Sequence, residues 1–467
     1  MTSASARPST AAAAHPLLAH AAPDSVVAWR HGAPIRVARF LADADALAAA
    51  MPPGQHVLNT CSDRYRFAVG LAAALISDRI SLLPSMLTTD VIEHLRTFAP
   101  DTFCLCDSGQ TSFGLPALVY PDDLGSESSS GSRAMPSIAD DRTVAWLFTS
   151  GSTGKPQPHR KTWGPLVRNV VAEAAILGLD QASDRAADDQ RAHTIVATVP
   201  AQHMYGFEST VLVAWQSGAA FSAARPLYPA DIVAAIDEVP SPRMLVTTPF
   251  HLRTLIDAGV EIPALASMLS ATAPLSVALA REAEARTGAP LIEIYGSTET
   301  GQIASRRPTD GVEWTLFPDV RLEARDGRVW ASGGHVENPI AMGDVIETDG
   351  TDRFVLHGRS ADMINVAGKR SSIAYLNHQL LSIEGVVDGA FHVPDDGAPD
   401  SVTRLSAVVV APGFDAATIR QALRAKIEPA FMPRRILFVD ALPRNTTGKL
   451  PQAAISALLS GRAGDDA

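Results

Sequence analysis

Residues 147–156 read Leu-Phe-Thr-Ser-Gly-Ser-Thr-Gly-Lys-Pro, an apolar run that stops abruptly in hydroxyls, two glycines and a lysine. Gly151 and Gly154 let the backbone approach an anion and turn its N–H groups toward it. Thr149, Ser150, Ser152 and Thr153 add hydroxyl donors, and Lys155 adds a point charge. The combination suits a polyphosphate. It is not a Walker A loop, because the glycine-to-lysine spacing is too short and Pro156 stands where Ser or Thr would hold magnesium. Taken alone, the same residues could form a surface turn.

Two later segments change that balance. Tyr295-Gly-Ser-Thr-Glu-Thr-Gly301 follows the apolar run LIEI, and Pro443-Arg-Asn-Thr-Thr-Gly-Lys449 comes near the C-terminus. Gly343-Asp344 and Gly358-Arg359 fall between them. On these motifs the chain resembles the adenylate-forming superfamily, which holds acyl-CoA synthetases, aryl-acid ligases, luciferases and nonribosomal adenylation domains. The matches keep the family's order from residue 147 to residue 449, which is far more specific than any one of them.

The resemblance implies a first half-reaction in which a carboxylate and ATP give an acyl-adenylate and pyrophosphate. That chemistry asks for positioning and charge neutralisation, with no side-chain nucleophile. By resemblance, Thr149, Ser150, Gly151, Ser152, Thr153, Gly154 and Lys155 embrace the β- and γ-phosphates, Thr298 touches the α-phosphate and Glu299 holds Mg2+. One carboxylate beside phosphate oxygens is ordinary magnesium chemistry. Asp344 matches the carboxylate that accepts from the ribose hydroxyls, and Arg359 a second ribose or phosphate contact. Tyr295, Gly296 and Ser297 belong to the same nucleotide motif. Ala271, Thr272 and Ala273 stand beside adenine, where the family usually has Gly-Gly-Ala. Lys449 matches the catalytic lysine that bridges carboxylate and α-phosphate, a task suited to one ammonium facing several oxygens.

The acid is read from Pro200-Ala-Gln-His-Met-Tyr-Gly206, which matches the segment that walls the family's acyl pocket. His203, Tyr205 and Gly206 are its candidate residues, with a packed, hydrogen-bonded histidine as the equal alternative for His203. Thr248, Thr272, Ser297 and Gln302 join them by their position after strand-like runs. The family hinge position is occupied by Ala361, with Asp362 beside it. Ala374-Tyr-Leu-Asn377 replaces the usual glutamate-rich helix start, which is similar to ligases of xanthomonadin and aryl-polyene pathways. That narrower likeness implies a hydroxybenzoate-like acid passed to the phosphopantetheine thiol of an acyl carrier protein. Free coenzyme A is the alternative acceptor, and a non-catalytic adenylate-binding relative is the alternative of another class.

The elements that must position these residues follow from periodicity. SDRYRFAVGLAAALISD and TWGPLVRNVVAEAAILGL carry apolar residues at helical spacing, while SLLP, FCLC, TIVATVP and RMLVTTP read as buried strands. Ser276 caps a helix that Gly288 ends, and Asp326-Gly327 signals a hairpin. Strands alternating with helices predict an α/β body built on parallel sheets, with functional loops beyond the strands' C-terminal ends. The resemblance adds a small barrel-like subdomain and a small mobile C-terminal α/β domain. The expected organisation is a frayed tail over 1–23, a body over 24–358 and a C-terminal lid over 359–467.

With 467 residues, 46% apolar and 19% charged, the chain describes a globular protein of more than one domain. No apolar run is long enough to span a membrane. Three cysteines without zinc-ligand spacing, Cys61, Cys104 and Cys106, read as buried thiols and fit a cytoplasmic location. A net charge of −11 speaks against general nucleic-acid binding. From Arg359 onward the balance is 12 basic against 11 acidic residues, so the C-terminal part is much less acidic than the body. Arg420, Arg424, Lys426, Arg434 and Arg435 there suggest a landing patch for coenzyme A phosphates or an acidic carrier protein, against the alternative of a solvated helix face.

Overall fold

The computed structural model describes residues 13–84, 86–107, 113–122, 124, 134–150, 156–179, 192–348, 350–359, 363–366, 369–393, 405–444 and 450–461. Two large sheets dominate it. The first has six strands, centred on His56–Asn59 and Ile80–Pro84 and reaching Thr143–Ser150, all parallel up to its last strand Pro156–Thr162. The second has eleven strands. Its parallel core, which includes Thr194–Ala197, Arg243–Thr247, Ser267–Ser270 and Leu291–Ser297, continues into an antiparallel flank that starts with Gly301–Arg306. Helices serve as the crossovers that parallel pairing demands.

Those helices begin and end where their residues dictate. Asp63 accepts from the Arg66 N–H and starts the helix Arg64–Ile76. Ser276 accepts from the Leu279 N–H to start Val277–Thr287, and Gly288 closes it in the left-handed conformation at φ 70°. Asp326 and Gly327, at φ 51° and 73°, make the tight turn between Val320–Arg325 and Arg328–Gly333. Together with Val336–Ala341, these two strands form a separate three-stranded antiparallel sheet. After Arg359 come a two-stranded ribbon (Met363–Val366, Lys369–Ser372) and a three-stranded sheet (Asp388–His392, Ser406–Val410, Arg435–Phe438), which has its own apolar core around Leu376, Phe391, Ile419 and Leu423.

One buried cation joins the two large sheets. Arg64, 2% exposed, donates to the carbonyls of Ala197, Val199, Ser222 and Ala224. Its helix follows a strand of the first sheet, whereas its acceptors lie at or just past the ends of strands of the second.

The expected frayed tail over 1–23 needs correction from residue 14 onward. Ala14–Pro16 is a strand paired antiparallel with Ser137–Ala139. Leu17 and Leu18 are buried in the main core. The Ala-, Ser- and Pro-rich composition conceals this short strand because its hydrogen-bond partners lie more than 120 residues away. Among the described residues, no helix is long and apolar enough to cross a membrane.

Candidate active site

The strand Thr143–Ser150 turns back as Pro156–Thr162, with Ser150 opposite Pro156. Gly151, Ser152, Thr153, Gly154 and Lys155 connect them and lie outside the described residues. The strand ends are described. Thr149 Oγ1 is 2.9 Å from His159 Nε2, and the same nitrogen is 3.5 Å from Glu299 Oε1. The imidazole therefore stands between the end of the phosphate-loop strand and the proposed magnesium ligand. Burial, opposed by Glu299 and helped by Lys161, holds its pKa below the usual histidine value.

Glu299 is presented by a hairpin. The strand that opens with the apolar run LIEI continues through Tyr295 and Gly296 to Ser297, so the first three residues of YGSTETG are strand. Ser297 pairs with Gly301 and Gly296 with Gln302, which leaves Thr298, Glu299 and Thr300 as the turn. The turn is locked from within: the Ser297 N–H donates to Thr300 Oγ1 at 3.1 Å, and the Thr300 N–H donates to Ser297 Oγ at 3.2 Å. A side chain at Gly296 would meet the Gly301 carbonyl oxygen at 2.2 Å, so only glycine allows the hairpin to close.

The residues expected at the nucleoside adjoin the hairpin. The Tyr295 hydroxyl donates to Asp344 Oδ2 at 2.6 Å, and its ring packs against Trp314 and Phe354, which stack on each other. Asp344 lies directly opposite Arg359 in the pairing of Asp344–Thr348 with Arg353–Arg359. The candidate ribose carboxylate is thus oriented by one motif and paired in register with another. Ala271, Thr272 and Ala273 follow the strand Ser267–Ser270, which pairs with Leu291–Ser297 and brings them beside Tyr295. Thr272 holds φ 80°, a left-handed conformation unusual for a β-branched residue, and its buried hydroxyl has no partner among the described residues. Such strain costs about 1–3 kcal/mol and concentrates at functional sites.

The acyl-pocket candidates are placed as follows. Tyr205 and Gly206 lie in the short helix Met204–Gly206, His203 just before it, and the chain continues as the π-helical turn Phe207–Leu212. Gly206 lies so close to the Pro200 carbonyl that a side chain would be 2.0 Å from it. The Tyr205 hydroxyl donates to the Leu269 carbonyl at 3.1 Å. Thr248 is committed to its helix start, accepting from the His251 N–H. Gln302 is buried, and its amide donates to Glu173 Oε2 at 3.1 Å and Ser209 Oγ at 2.8 Å.

Sequence reasoning missed the residues around Gln302. Glu173 and Glu208 are both buried, and burial pushes their carboxyls up to about 8 and about 7. Asn169 donates to Glu208 Oε1 at 2.9 Å. Lys161, its pKa lowered by burial, opposes the charge of Glu208, Glu299 and Glu337. The available signal was a single carboxylate inside each of two apolar runs, VVAEAAI and YGFESTVL. A cavity of about 410 Å³ reaches from His159 and Glu299 to Lys161, Asn169, Glu208 and His335.

In the C-terminal part, Lys449 lies outside the described residues, as do Ala361 and Asp362. Arg444, at the start of the lysine's motif, makes a two-pronged pair with Asp388 at 2.8 and 2.7 Å. Within the basic cluster, Arg420 donates to the Arg434 carbonyl and Arg435 to the Leu459 carbonyl. Arg424 and Lys426 line a cavity of about 320 Å³ with Tyr375 and Phe431.

The chain is similar to known proteins over most of its length. The profile of the AMP-binding enzyme family matches residues 54–325, and that of the AMP-binding enzyme C-terminal domain matches residues 379–449. The 4-coumarate–CoA ligase of Rhodobacter capsulatus is 30% identical over 305 residues, covering 64% of this chain and 73% of that protein. The 3-hydroxybenzoate–CoA ligase of an Aromatoleum species is 24% identical over 397 residues, covering 73% and 69%. Among solved structures, o-succinylbenzoate CoA synthetase of Bacillus subtilis, held with its acyl-adenylate intermediate, superposes with a TM-score of 0.77 at 18% identity, over 95% of this chain and 98% of that one. The amide bond synthetase of Marinactinospora thermotolerans gives 0.78 at 19% identity, over 93% and 97%. The chain belongs to the AMP-binding, adenylate-forming enzyme family. It is a ligase of the AMP-forming class.

Proposed function

We propose that this enzyme joins an aromatic carboxylic acid to ATP as an acyl-adenylate, with release of pyrophosphate, and then passes the acyl group to the thiol of coenzyme A with release of AMP. The observation that carries the reading is the convergence of Thr149, His159 and Glu299 at one end of the site with Asp344, Tyr295 and the Arg359 position at the other. It gives a nucleoside triphosphate a ribose acceptor and an anionic metal ligand at the two ends of one strand-and-hairpin unit, Tyr295 to Glu299. Relatives named for 4-coumarate, indoleacetate and 3-hydroxybenzoate support an aromatic acid, and all of these are named as CoA ligases. That favours coenzyme A over the carrier-protein thiol that the pigment-pathway likeness put first.

The residues present suit magnesium. Glu299 is an exposed carboxylate at a rigid turn, and among the described residues no group of three or more His, Cys, Asp or Glu side chains could hold an ion. A metal here would take its other ligands from phosphate oxygens and water, as magnesium does. When bound, it neutralises phosphate charge as pyrophosphate departs. The chain's own part is to hold Glu299 in place through the Ser297–Thr300 lock, to orient Asp344 through Tyr295, and to bring Lys449 to the carboxylate and α-phosphate.

The test is acid-dependent pyrophosphate release over a panel of aromatic acids, followed by acyl transfer with coenzyme A or a phosphopantetheinylated carrier protein. Lys449→Ala is expected to slow adenylation by about 10²–10³ with an unchanged melting temperature. Near-normal adenylate formation by that folded variant would remove Lys449 from the chemistry. Acylation of carrier protein in preference to coenzyme A would overturn the acceptor assignment and leave the first half-reaction standing.

A further inference from the structure

His159 touches two phosphate-site segments that lie far apart in the chain. Its Nε2 is 2.9 Å from Thr149 Oγ1, near the end of the phosphate-loop strand, and 3.5 Å from Glu299 Oε1, in the turn over 298–300. Strand register accounts for the first contact. Thr149 pairs with Gln157, and His159 lies two residues further on, so Thr149 and His159 share one face of the ribbon. The second contact joins that face to the turn locked by Ser297 and Thr300. The His159 side chain is 21% exposed and that of Glu299 40%, so the imidazole is the more enclosed partner. Lys161, on the same face again, adds positive charge near both groups.

One nitrogen serves both contacts, and that decides where its hydrogen sits. A carboxylate oxygen only accepts. A bare Nε2 would turn its lone pair on Glu299 and would consume the Thr149 hydroxyl hydrogen. With the hydrogen on Nε2, as in the Nε2–H tautomer and the imidazolium alike, the ring donates to Thr149 Oγ1 and attracts Glu299 Oε1. Thr149 then accepts from the ring, and its own hydrogen is turned outward as a donor. A hydroxyl can do both at once, because it carries one hydrogen and two lone pairs.

We infer that His159 is a positioning residue that couples the magnesium ligand to the phosphate loop. It steadies Glu299 through Oε1 and sets the Thr149 hydroxyl as a donor toward the phosphates of the nucleotide. The inference rests on the part of the proposed ligase reading that places ATP and Mg2+ at these residues. His159 acts through Glu299 and Thr149 and touches neither the acid nor the reacting phosphorus. A hydrogen bond that orients a metal-ligating carboxylate typically governs about 10–100-fold in metal affinity.

The experiment measures binding apart from turnover. Calorimetry follows ATP affinity as Mg2+ is titrated, for the wild-type enzyme, His159→Leu and His159→Gln. Leucine keeps bulk and removes the donor, whereas glutamine places an amide N–H at comparable reach. His159→Leu is expected to raise the Mg2+ needed for half-maximal ATP binding by about 10-fold or more, and His159→Gln to restore most of the loss. In a Glu299→Gln background, His159→Leu should no longer change the Mg2+ requirement, because the two residues act as one unit. In steady-state kinetics the KM for ATP should rise while that for the acid holds. An unchanged Mg2+ requirement in folded His159→Leu overturns the inference. So does an equal loss in the Leu and Gln variants, which would make the ring a packing element only. Where His159→Leu does not fold, nitrogen NMR of the histidine-labelled wild-type enzyme reads the same point, with the His159 signals assigned by their loss in His159→Gln. Hydrogen on Nε2 and a shift on adding ATP with Mg2+ uphold the inference, and hydrogen on Nδ1 alone overturns it. If ATP and Mg2+ bind as expected but no acid supports pyrophosphate release, the ligase reading fails and the role of His159 stands. If the wild-type enzyme binds no ATP, both fail.

Discussion

A carboxyl group sealed away from water keeps its proton to unusually high pH, and here that leaves a mark on stability. Glu173 and Glu208 have values of about 8 and about 7 in the fold against 4.5 for a free side chain, with burial the leading cause. Each contributes stability that is complete below about 4.5 and is lost as pH rises through the folded value. His20 and His335 work the other way, held near 4 by burial against 6.5. Their stability is complete above about 6.5 and is lost as pH falls toward 4. The two effects oppose between pH 4.5 and 6.5, so stability should vary little there; above 6.5 it should fall, through both carboxyls to about pH 7 and through Glu173 alone to about pH 8, by roughly 1.4 kcal/mol per pH unit for each group still protonated in the fold. Glu173→Gln should flatten the alkaline fall in thermal melts, and an unchanged slope would show that another group titrates. None of this was legible beforehand. Thr298, Glu299 and Asp344 could be named because short motifs surround them. Glu173 could not, because its partners Gln302 and Ser209 come from far along the chain.

Helix ends are local, and so are their signals. Ser276 and Gly288 cap the helix their sequence context predicted, and Asp326-Gly327 turns where a hairpin was expected. The hairpin that presents Glu299 was less legible, because the strand character of Tyr295-Gly-Ser comes from pairing with Gly301–Arg306. That pairing gives a sharp expectation for Gly296→Ala. The added methyl would sit 2.2 Å from the Gly301 carbonyl oxygen. The hairpin must shift to relieve it, with a loss of about 1–3 kcal/mol in stability and about 10² in adenylation through displacement of Thr298 and Glu299. Gly311→Ala, which meets nothing within 4 Å, is the control and should leave both unchanged. Melting temperature and pyrophosphate release read the pair, and wild-type rates in a folded Gly296→Ala variant would show that the turn tolerates movement.

Across the whole molecule, the alternation of strands and helices gave the parallel α/β body, and the apolar runs gave its core. What periodicity could not give was how the two large sheets are fastened. Arg64 does this through four carbonyls, and burial lowers its pKa to about 10. Arg64→Met keeps much of the bulk and removes every donor. It should destabilise the protein by at least about 3 kcal/mol, because several buried carbonyls lose their partner. Urea denaturation should also become less cooperative, since the sheets are then coupled mainly by apolar contact. A single transition at the wild-type midpoint would show that the guanidinium is dispensable. The same contact bears on synthesis. The Arg64 side chain leaves the ribosome long before Ala224, its last acceptor, has been made. Throughout that interval a nascent chain carries a guanidinium bound for the interior with no carbonyls to receive it. The first sheet therefore cannot close over its final interior until nearly half of the polypeptide exists, and truncated products ending before Ala224 should be recognised as unfinished and removed by proteolysis.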